Sequence, residues 1–283
     1  MRRSLLWRKS VNVFMITLAG LCAAVAVVVL LLILGYLAWS GAHYLTWTFL
    51  TQLPKPVGET GGGMANAIVG SGKMLLLAAI TGVPVGLIGG IYLAEFGGKT
   101  ISFMVRYAAD LLNGVPSIVT GIFIYTIVVL PMGNFSALAG GLALGVIAIP
   151  VVLRSTEEFL RAVPHSLLEG ALALGVSRWK GVATVVLPAA IRGIMTGVLL
   201  SMARVAGETA PLLFTSFNNQ FWSQGWSQPI ASLPVMIFTY AISPYRSWHE
   251  QAWAAGFILL ALVLLVNIGA HAMLSRGPAV QKG

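Results

Sequence analysis

The sequence predicts an all-α membrane protein with six transmembrane helices and both termini on the cytoplasmic side. Three observations carry this. The 283 residues are 58% hydrophobic and only 9% charged, whereas soluble domains hold roughly 25% charged residues. Apolar runs recur at lengths able to cross a hydrocarbon core of about 30 Å, which takes roughly 20 helical residues. Lys and Arg sort between those runs. All but Lys55, Lys73, Arg204 and Arg246 of the 17 fall in segments that alternate spans place on one side, and the positive-inside rule makes that side cytoplasmic. The formal charge of +9 does not gather on one soluble face, so nucleic acid is not an expected partner and membrane lipid is.

The first run, Val11–Trp39, follows Arg2, Arg3, Arg8 and Lys9. That basic start resembles a signal peptide. The run far exceeds a 7–15-residue signal core, so residues 1–39 read as a cytoplasmic N-terminus plus a retained first span. Residues 40–63 form an extracytoplasmic loop. Its Gly58–Met64 stretch is either a flexible turn or an anion-cradling nest. The second span is Met64–Leu93; Pro84 is tolerated because neighbouring helices re-satisfy the backbone. In the loop 94–115, Ile101, Met104, Val105, Ala108, Leu111 and Leu112 recur at helical spacing. A helix lying along the inner face is expected.

The third span, Pro116–Leu130, opens on Asn113-Gly-Val-Pro116-Ser117. That string is either ordinary capping or a helix start that favours anions. The fourth span is Ala137–Leu153 and the fifth Ile191–Phe214. In the outer segment 217–250, Ile230–Ile242 is apolar but too short to cross, so it reads as interfacial or re-entrant. The sixth span is Gln251–Leu274, and 277–283 is a cytoplasmic tail. Seven of the tryptophans fall near span ends, as aromatic belts do: Trp7, Trp39, Trp47, Trp222, Trp226, Trp248 and Trp253.

Covalent chemistry is not legible. Gly72-Lys73 invites an ATP-binding loop, but Ala67 and Met74 stand where that pattern needs Gly and Ser or Thr. His43, His165, His249 and His271 have no metal-ligand spacing. No serine sits in a nucleophile elbow. Cys22 lies within the first apolar run and reads as a small hydrophobe. The chain is therefore expected to be no enzyme, and to need no metal or cofactor.

The fifth span carries the unusual chemistry. On one continuous helix Gly193, Gly197, Ser201, Arg204, Glu208, Pro211 and Thr215 fall within about 80° of each other. Gly193 and Gly197 allow close helix approach. Arg204 lies past the middle of the core, toward the outside. A charge at such depth costs about 2.5–3.5 kcal/mol on insertion scales. Arg204 and Glu208 then have two readings. They form an i,i+4 ion pair that locks packing, or Arg204 offers planar donors to a passing oxyanion while Glu208 keeps it from holding the anion too tightly. In the second reading Ser201 and Thr209 join the pathway.

Between the fourth and fifth spans, Leu160, Val163, Leu167, Ala171 and Leu174 predict an amphipathic helix. The loop 155–190 then reads Glu169-Gly170-Ala171, three residues, Gly175, nine residues, Val185-Val-Leu187-Pro188. This resembles the EAA loop of permease subunits of bacterial ABC importers. Glu169, Ala171, Gly175, Leu187 and Pro188 match; Gly170 replaces an alanine and Val185 an isoleucine. Over most of 50–275 the chain is more narrowly similar to PstA-type permeases of phosphate importers. That likeness rests on Gly61–Ser71, Gly90–Glu95, Pro116-Ser-Ile-Val, Ala203–Phe214 and Asn219–Trp222.

The resemblance implies a MetI-like permease core over 64–276 in the bacterial inner membrane. It implies a PstC-like second permease, two PstB-like ATPase subunits docking on Glu169–Gly175, and a PstS-like phosphate-binding protein outside. A sister permease for sulfate or molybdate, or a stand-alone anion channel, are the competing readings.

Overall fold

The computed structural model describes residues 2–56, 59 and 61–275. Gly58 and Thr60 of the glycine-rich turn, and the tail from Arg276 on, lie outside them. Among the described residues the structure is entirely helical. In chain order the helices are α1 Arg2–His43, α2 Trp47–Thr51, α3 Ala65–Ile91, α4 Lys99–Gly114, α5 Ser117–Ile124, α6 Leu130–Met132, α7 Ala137–Arg161, α8 His165–Ala173, α9 Arg178–Gly181, α10 Leu187–Ala206, α11 Ala210–Thr215, α12 Leu233–Ala241 and α13 Arg246–Ser275. Single π-helical turns at Tyr92–Phe96, Tyr125–Val129 and Val182–Val186 extend or join their neighbours.

Five helical stretches are long and apolar enough to cross a membrane, and the bent pair Lys99–Gly114 with Ser117–Met132 makes up to six. The two limbs of that pair meet at 101°. Pro116 is the reason: it disfavours helical backbone at Val115, which sits extended at ψ 130°. The expected helix in 94–115 is α4. Asn113 lies inside it and caps nothing, and Pro116 starts α5 without a side-chain cap.

The core is built on parallel packing of α3 against α7, and glycine makes it possible. Gly82, Gly86 and Gly90 repeat every fourth residue and share one face of α3. A Cβ on Gly82 would lie 2.6 Å from the carbonyl oxygen of Gly145 on α7, and one on Gly90 2.7 Å from that of Leu153. Backbones this close gain packing that lipid cannot supply, because lipid tails are as apolar as leucine. Around the seam lie Met74, Ala78, Leu144, Ala148, Val205 and Leu212 toward the outer end. Val152, Leu160, Val186, Ile194 and Val198 fill the inner end. "Inner" here is the end carrying most of the Lys and Arg.

At the outer end the 216–232 segment folds over α7. Ser136 N–H donates to the Thr215 carbonyl at the end of α11, and the first residues of α7 donate to that segment, Ala137 N–H to Gln228 and Leu138 N–H to Trp226. The Ser136 hydroxyl accepts from Ala139 N–H. These contacts satisfy donors a helix start leaves orphaned. Helix α12 accounts for the apolar 230–242 run. It is nine residues long, with Leu233, Pro234, Val235, Met236 and Tyr240 buried against the bundle. By contrast α1 is almost wholly exposed and packs on α13, where Tyr36 lies edge-on against Trp253 with ring centroids 5.1 Å apart. Cys22 is exposed on it.

Several sequence expectations need correction. The loop 40–63 contains α2. The fourth span runs on to Arg161, so Leu160 belongs to α7 and the amphipathic stretch breaks before Pro164. The fifth span begins near Arg178 and ends at Ala206, not at Phe214.

Candidate functional site

Residues 207–209 interrupt the fifth span. Gly207 closes α10, Glu208 and Thr209 are non-helical, and α11 restarts at Ala210 with Pro211 in its first turn. Proline suits that position because it lacks the N–H that a first turn leaves unpaired. The interruption is deep. Val205 and Leu212, which flank it, pack in one cluster with Met74 and Ala78 of α3. That level is about 15 Å along α3 from its outer end at 1.5 Å per residue. Irregular backbone at membrane depth is tolerated only where protein buries it or it lines a watery cavity.

The break corrects the single stripe expected on this span, because Arg204 and Glu208 do not share one continuous helix. Helix α10 divides instead into three sectors. Gly193, Gly197 and Ser201 face α7: Cβ atoms on the glycines would strike Phe159 and Ser155, and the Ser201 hydroxyl donates to Ala148 O at 3.3 Å. Ser201 is only 1% exposed, so it joins helix packing and not an open face. Leu199, Met202, Ala203 and Ala206 line an apolar cleft of about 320 Å³ with α3 and α13. The remaining sector is exposed and carries Arg192, Thr196, Leu200 and Arg204.

Arg204 occupies the last turn of α10, where orphan carbonyls favour a cation. Among the described residues no ion pair joins it to Glu208 or to any other acid. Glu208 and Thr209 are half-buried at the break itself. Of the two readings of Arg204 and Glu208, the i,i+4 ion pair is not formed among the described residues. Alongside, α5 packs on α11 so closely that a Cβ on Gly121 would sit 2.6 Å from Pro211 Cα. Lys73, the other cation inside a span, lies 5.8 Å from the Trp226 ring under the outer segment.

The inner end holds the second site. Helix α8 ends in a full Schellman closure. Gly175 N–H donates to Leu172 O at 2.9 Å and Val176 N–H to Ala171 O at 3.2 Å, with Gly175 at φ +79°. A left-handed residue is needed there, and glycine adopts it without a Cβ penalty. Leu168 and Ala171 are buried, while Glu169 and Gly170 are exposed. Leu187 and Pro188 open α10 directly after a π turn. Leu174, read from periodicity as facing inward, is 85% exposed, and Trp179 beside it is 62% exposed. Sequence reasoning missed Trp179; an aromatic between two cations, Arg178 and Lys180, was the available signal.

Behind this surface stands a charge cluster that the sequence did not suggest. Glu157 of α7 has only 3% of its side chain exposed, yet meets Arg106 of α4 at 2.7 Å, Arg161 at 3.0 Å and Arg154 at 3.5 Å. Arg154 also pairs with Asp110 of α4 at 3.0 Å. Arg178 reaches the backbone carbonyl of Glu95 and lies 4.0 Å from its carboxylate. Arg154, Glu157 and Arg161 sit at i,i+3 and i,i+4 on one helix, but Arg106 and Asp110 come from α4, and no spacing rule joins them to it.

Five long apolar helices with a bent pair that makes up to a sixth span, an interrupted fifth span and an exposed loop at the charged end define a multi-span helical membrane protein. Residues 86–276 match the family described as binding-protein-dependent transport system inner membrane component. Solved structures of the MetNI methionine ABC transporter share the fold: TM-score 0.59 at 17% identity, over 77% of this chain and 94% of that one. The chain is 43% identical over 276 residues to the phosphate transport system permease protein PstA of Yersinia pestis, covering 97% of this chain and 94% of the relative. It is 48% identical over 230 residues to that of Xylella fastidiosa, covering 81% and 79%. A more distant PstA 1 of Mycobacterium tuberculosis is 36% identical over 83% of this chain. The chain belongs to the PstA permeases within that inner-membrane family.

Proposed function

We propose that this chain is one of two permeases forming the phosphate pathway of an ATP-driven importer. A PstC-like permease completes the pathway. Two PstB-like ATPases grip Glu169–Gly175 together with the exposed Leu174 and Trp179. A PstS-like protein delivers phosphate to the outer segments, and both termini face the cytoplasm. Arg204 and Glu208, with Thr209 beside them, face the passing anion, while Leu187 and Pro188 carry movement of the coupling loop into α10. The carrying observation is an arginine that forms no ion pair with an acid among the described residues, exposed on α10 beside a helix break at membrane depth, where an isolated charge is expensive. The guanidinium offers paired donors that match phosphate geometry, and alternating access needs a weak, releasable contact of this kind.

The test is reconstitution of the full complex in vesicles. Phosphate, and neither sulfate nor molybdate, is expected to stimulate ATP hydrolysis when its binding protein is present. Equal stimulation by sulfate would assign the chain to the sister class.

A further inference from the structure

Three of the eight acidic residues in the chain, Glu95, Asp110 and Glu157, carry ion pairs at the inner end, and four of the charges there form a square paired along three of its sides. Helix α4 contributes Arg106 and Asp110, four residues apart. Helix α7 contributes Arg154 and Glu157, three residues apart. Across the gap Arg106 pairs with Glu157 at 2.7 Å and Asp110 with Arg154 at 3.0 Å. The second pair is two-pronged: Arg154 Nε donates to Asp110 Oδ1 at 3.1 Å and Nη2 to Oδ2 at 3.0 Å. Each helix thus presents one charge of each sign, in opposite order.

The square has a property that a single salt bridge lacks. Breaking a buried pair is normally costly because it strands a charge. Here, parting α4 from α7 strands none. Glu157 keeps Arg161, one turn along its own helix at 3.0 Å, and Arg154 at 3.5 Å. On α4, Arg106 and Asp110 stand at i and i+4, the spacing at which opposite charges pair on a helix. The same four groups therefore satisfy each other in two arrangements, across the seam or within each helix.

The seam also has leverage. Helix α4 turns through 101° into the limb beginning with α5. That limb packs on α11 at the Gly121–Pro211 contact, next to Glu208. Behind α4, Arg178 of the coupling segment holds Glu95, and Arg161 donates to Leu93 O at 3.4 Å. Few apolar residues of α4 are buried: Ser102 and Ala109 face the bundle, while Ile101, Phe103, Met104 and Tyr107 point away. Charge pairing works here beside a small apolar contact, in which Ala109 and Val105 of α4 meet Leu153 of α7 and Leu93.

We infer that Arg106, Asp110, Arg154 and Glu157 form an exchangeable charge seam, whose opening and closing lets α4 swing and moves the α5 limb against the break at Glu208. These are positioning residues that act on the pathway at a distance. The inference rests on the transport reading above and is tested so that the two can fail separately.

The test uses the complete complex with Cys22→Ser, Asp110→Cys and Arg154→Cys. Oxidative cross-linking of the two thiols is timed without nucleotide and after trapping with ATP and vanadate. At least a fivefold difference in rate is expected. Equal rates would overturn the seam as a moving part, and this readout does not depend on which solute is carried. The companion variant is Arg106→Gln, which leaves Glu157 paired to Arg154 and Arg161 and so preserves assembly. Severalfold more ATP spent per phosphate moved is expected, with co-purification of the ATPase unchanged; a native ratio would overturn the inference. If the native complex moves no phosphate while the cross-linking rates still differ, the transport assignment fails and the seam stands.

Discussion

Two groups of charges occupy this bundle and are treated in opposite ways. At the inner end Glu157 is nearly sealed from solvent, and three arginines surround it. At the break in the fifth span Arg204 has no acidic partner among the described residues, although Glu208 is only four residues away. A chain able to surround one carboxylate with three guanidiniums has the means to pair Arg204. Buried charges that hold structure together are saturated, because an unsaturated one is costly. Arg204 is exposed on α10, and on the function proposed above its guanidinium is kept open for the passing anion.

The contrast can be broken most sharply at Arg204. Arg204→Gln is expected to cut phosphate uptake at least tenfold, in line with about 1.5–3 kcal/mol for a hydrogen bond to a charged group. Insertion, assembly and thermal stability should stay native, read by co-purification of partner subunits and by unfolding in detergent. A stability loss with uptake retained would move Arg204 into the structural class. Glu157→Leu should do the reverse, destabilising the fold by about 3–5 kcal/mol because three arginines lose their counter-charge. Its signature is a lower unfolding temperature and less assembled complex.

Smaller effects sharpen the picture. Gly82→Leu places side-chain atoms where α3 and α7 backbones touch, and overpacking of this kind costs typically 1–3 kcal/mol. It should lower thermal stability without altering which anion stimulates the ATPase. Gly175→Ala forces a Cβ into left-handed backbone, at roughly 1–2 kcal/mol. Because Gly175 closes the end of α8, the expected result is weaker ATPase association with the transmembrane bundle intact, measured as faster dissociation of the ATPase during gel filtration.

Much of the fold was legible because the bilayer imposes a simple rule. Backbone polar groups must pair locally in hydrocarbon, so long apolar runs become helices. The spans around Ala65–Ile91, Ala137–Arg161 and Arg246–Ser275, and the helix α4, follow from runs and spacing alone. Glu169, Gly175 and Leu187-Pro188 were legible through their spacing, which resembles the EAA loop, and the structure adds that Gly175 stands at φ +79° and Pro188 in the first turn of α10. The 207–209 break was not legible. Gly207, Glu208 and Thr209 carry a stop signal, but the glutamate fits a helical stripe with Arg204, and Pro211 is as compatible with a tolerated proline as with a restart. Periodicity likewise misplaced Leu174, because the Schellman turn at Gly175 ends the helix just beyond it and leaves its side chain outside.

The sequence by itself determined that this is a multi-span helical membrane protein, which of its ends carries the positive charge, and which loop resembles an ATPase-docking segment. Hydropathy, charge order and local backbone demands are properties of neighbouring residues, so they survive in one dimension. Only the tertiary structure decided which charges are satisfied. Arg106 and Glu157 stand 51 positions apart yet are in contact, while Arg204 and Glu208, four apart, are not paired. Pairing is set by which helix faces meet and where a helix breaks, and neither is written in the spacing of the charges themselves.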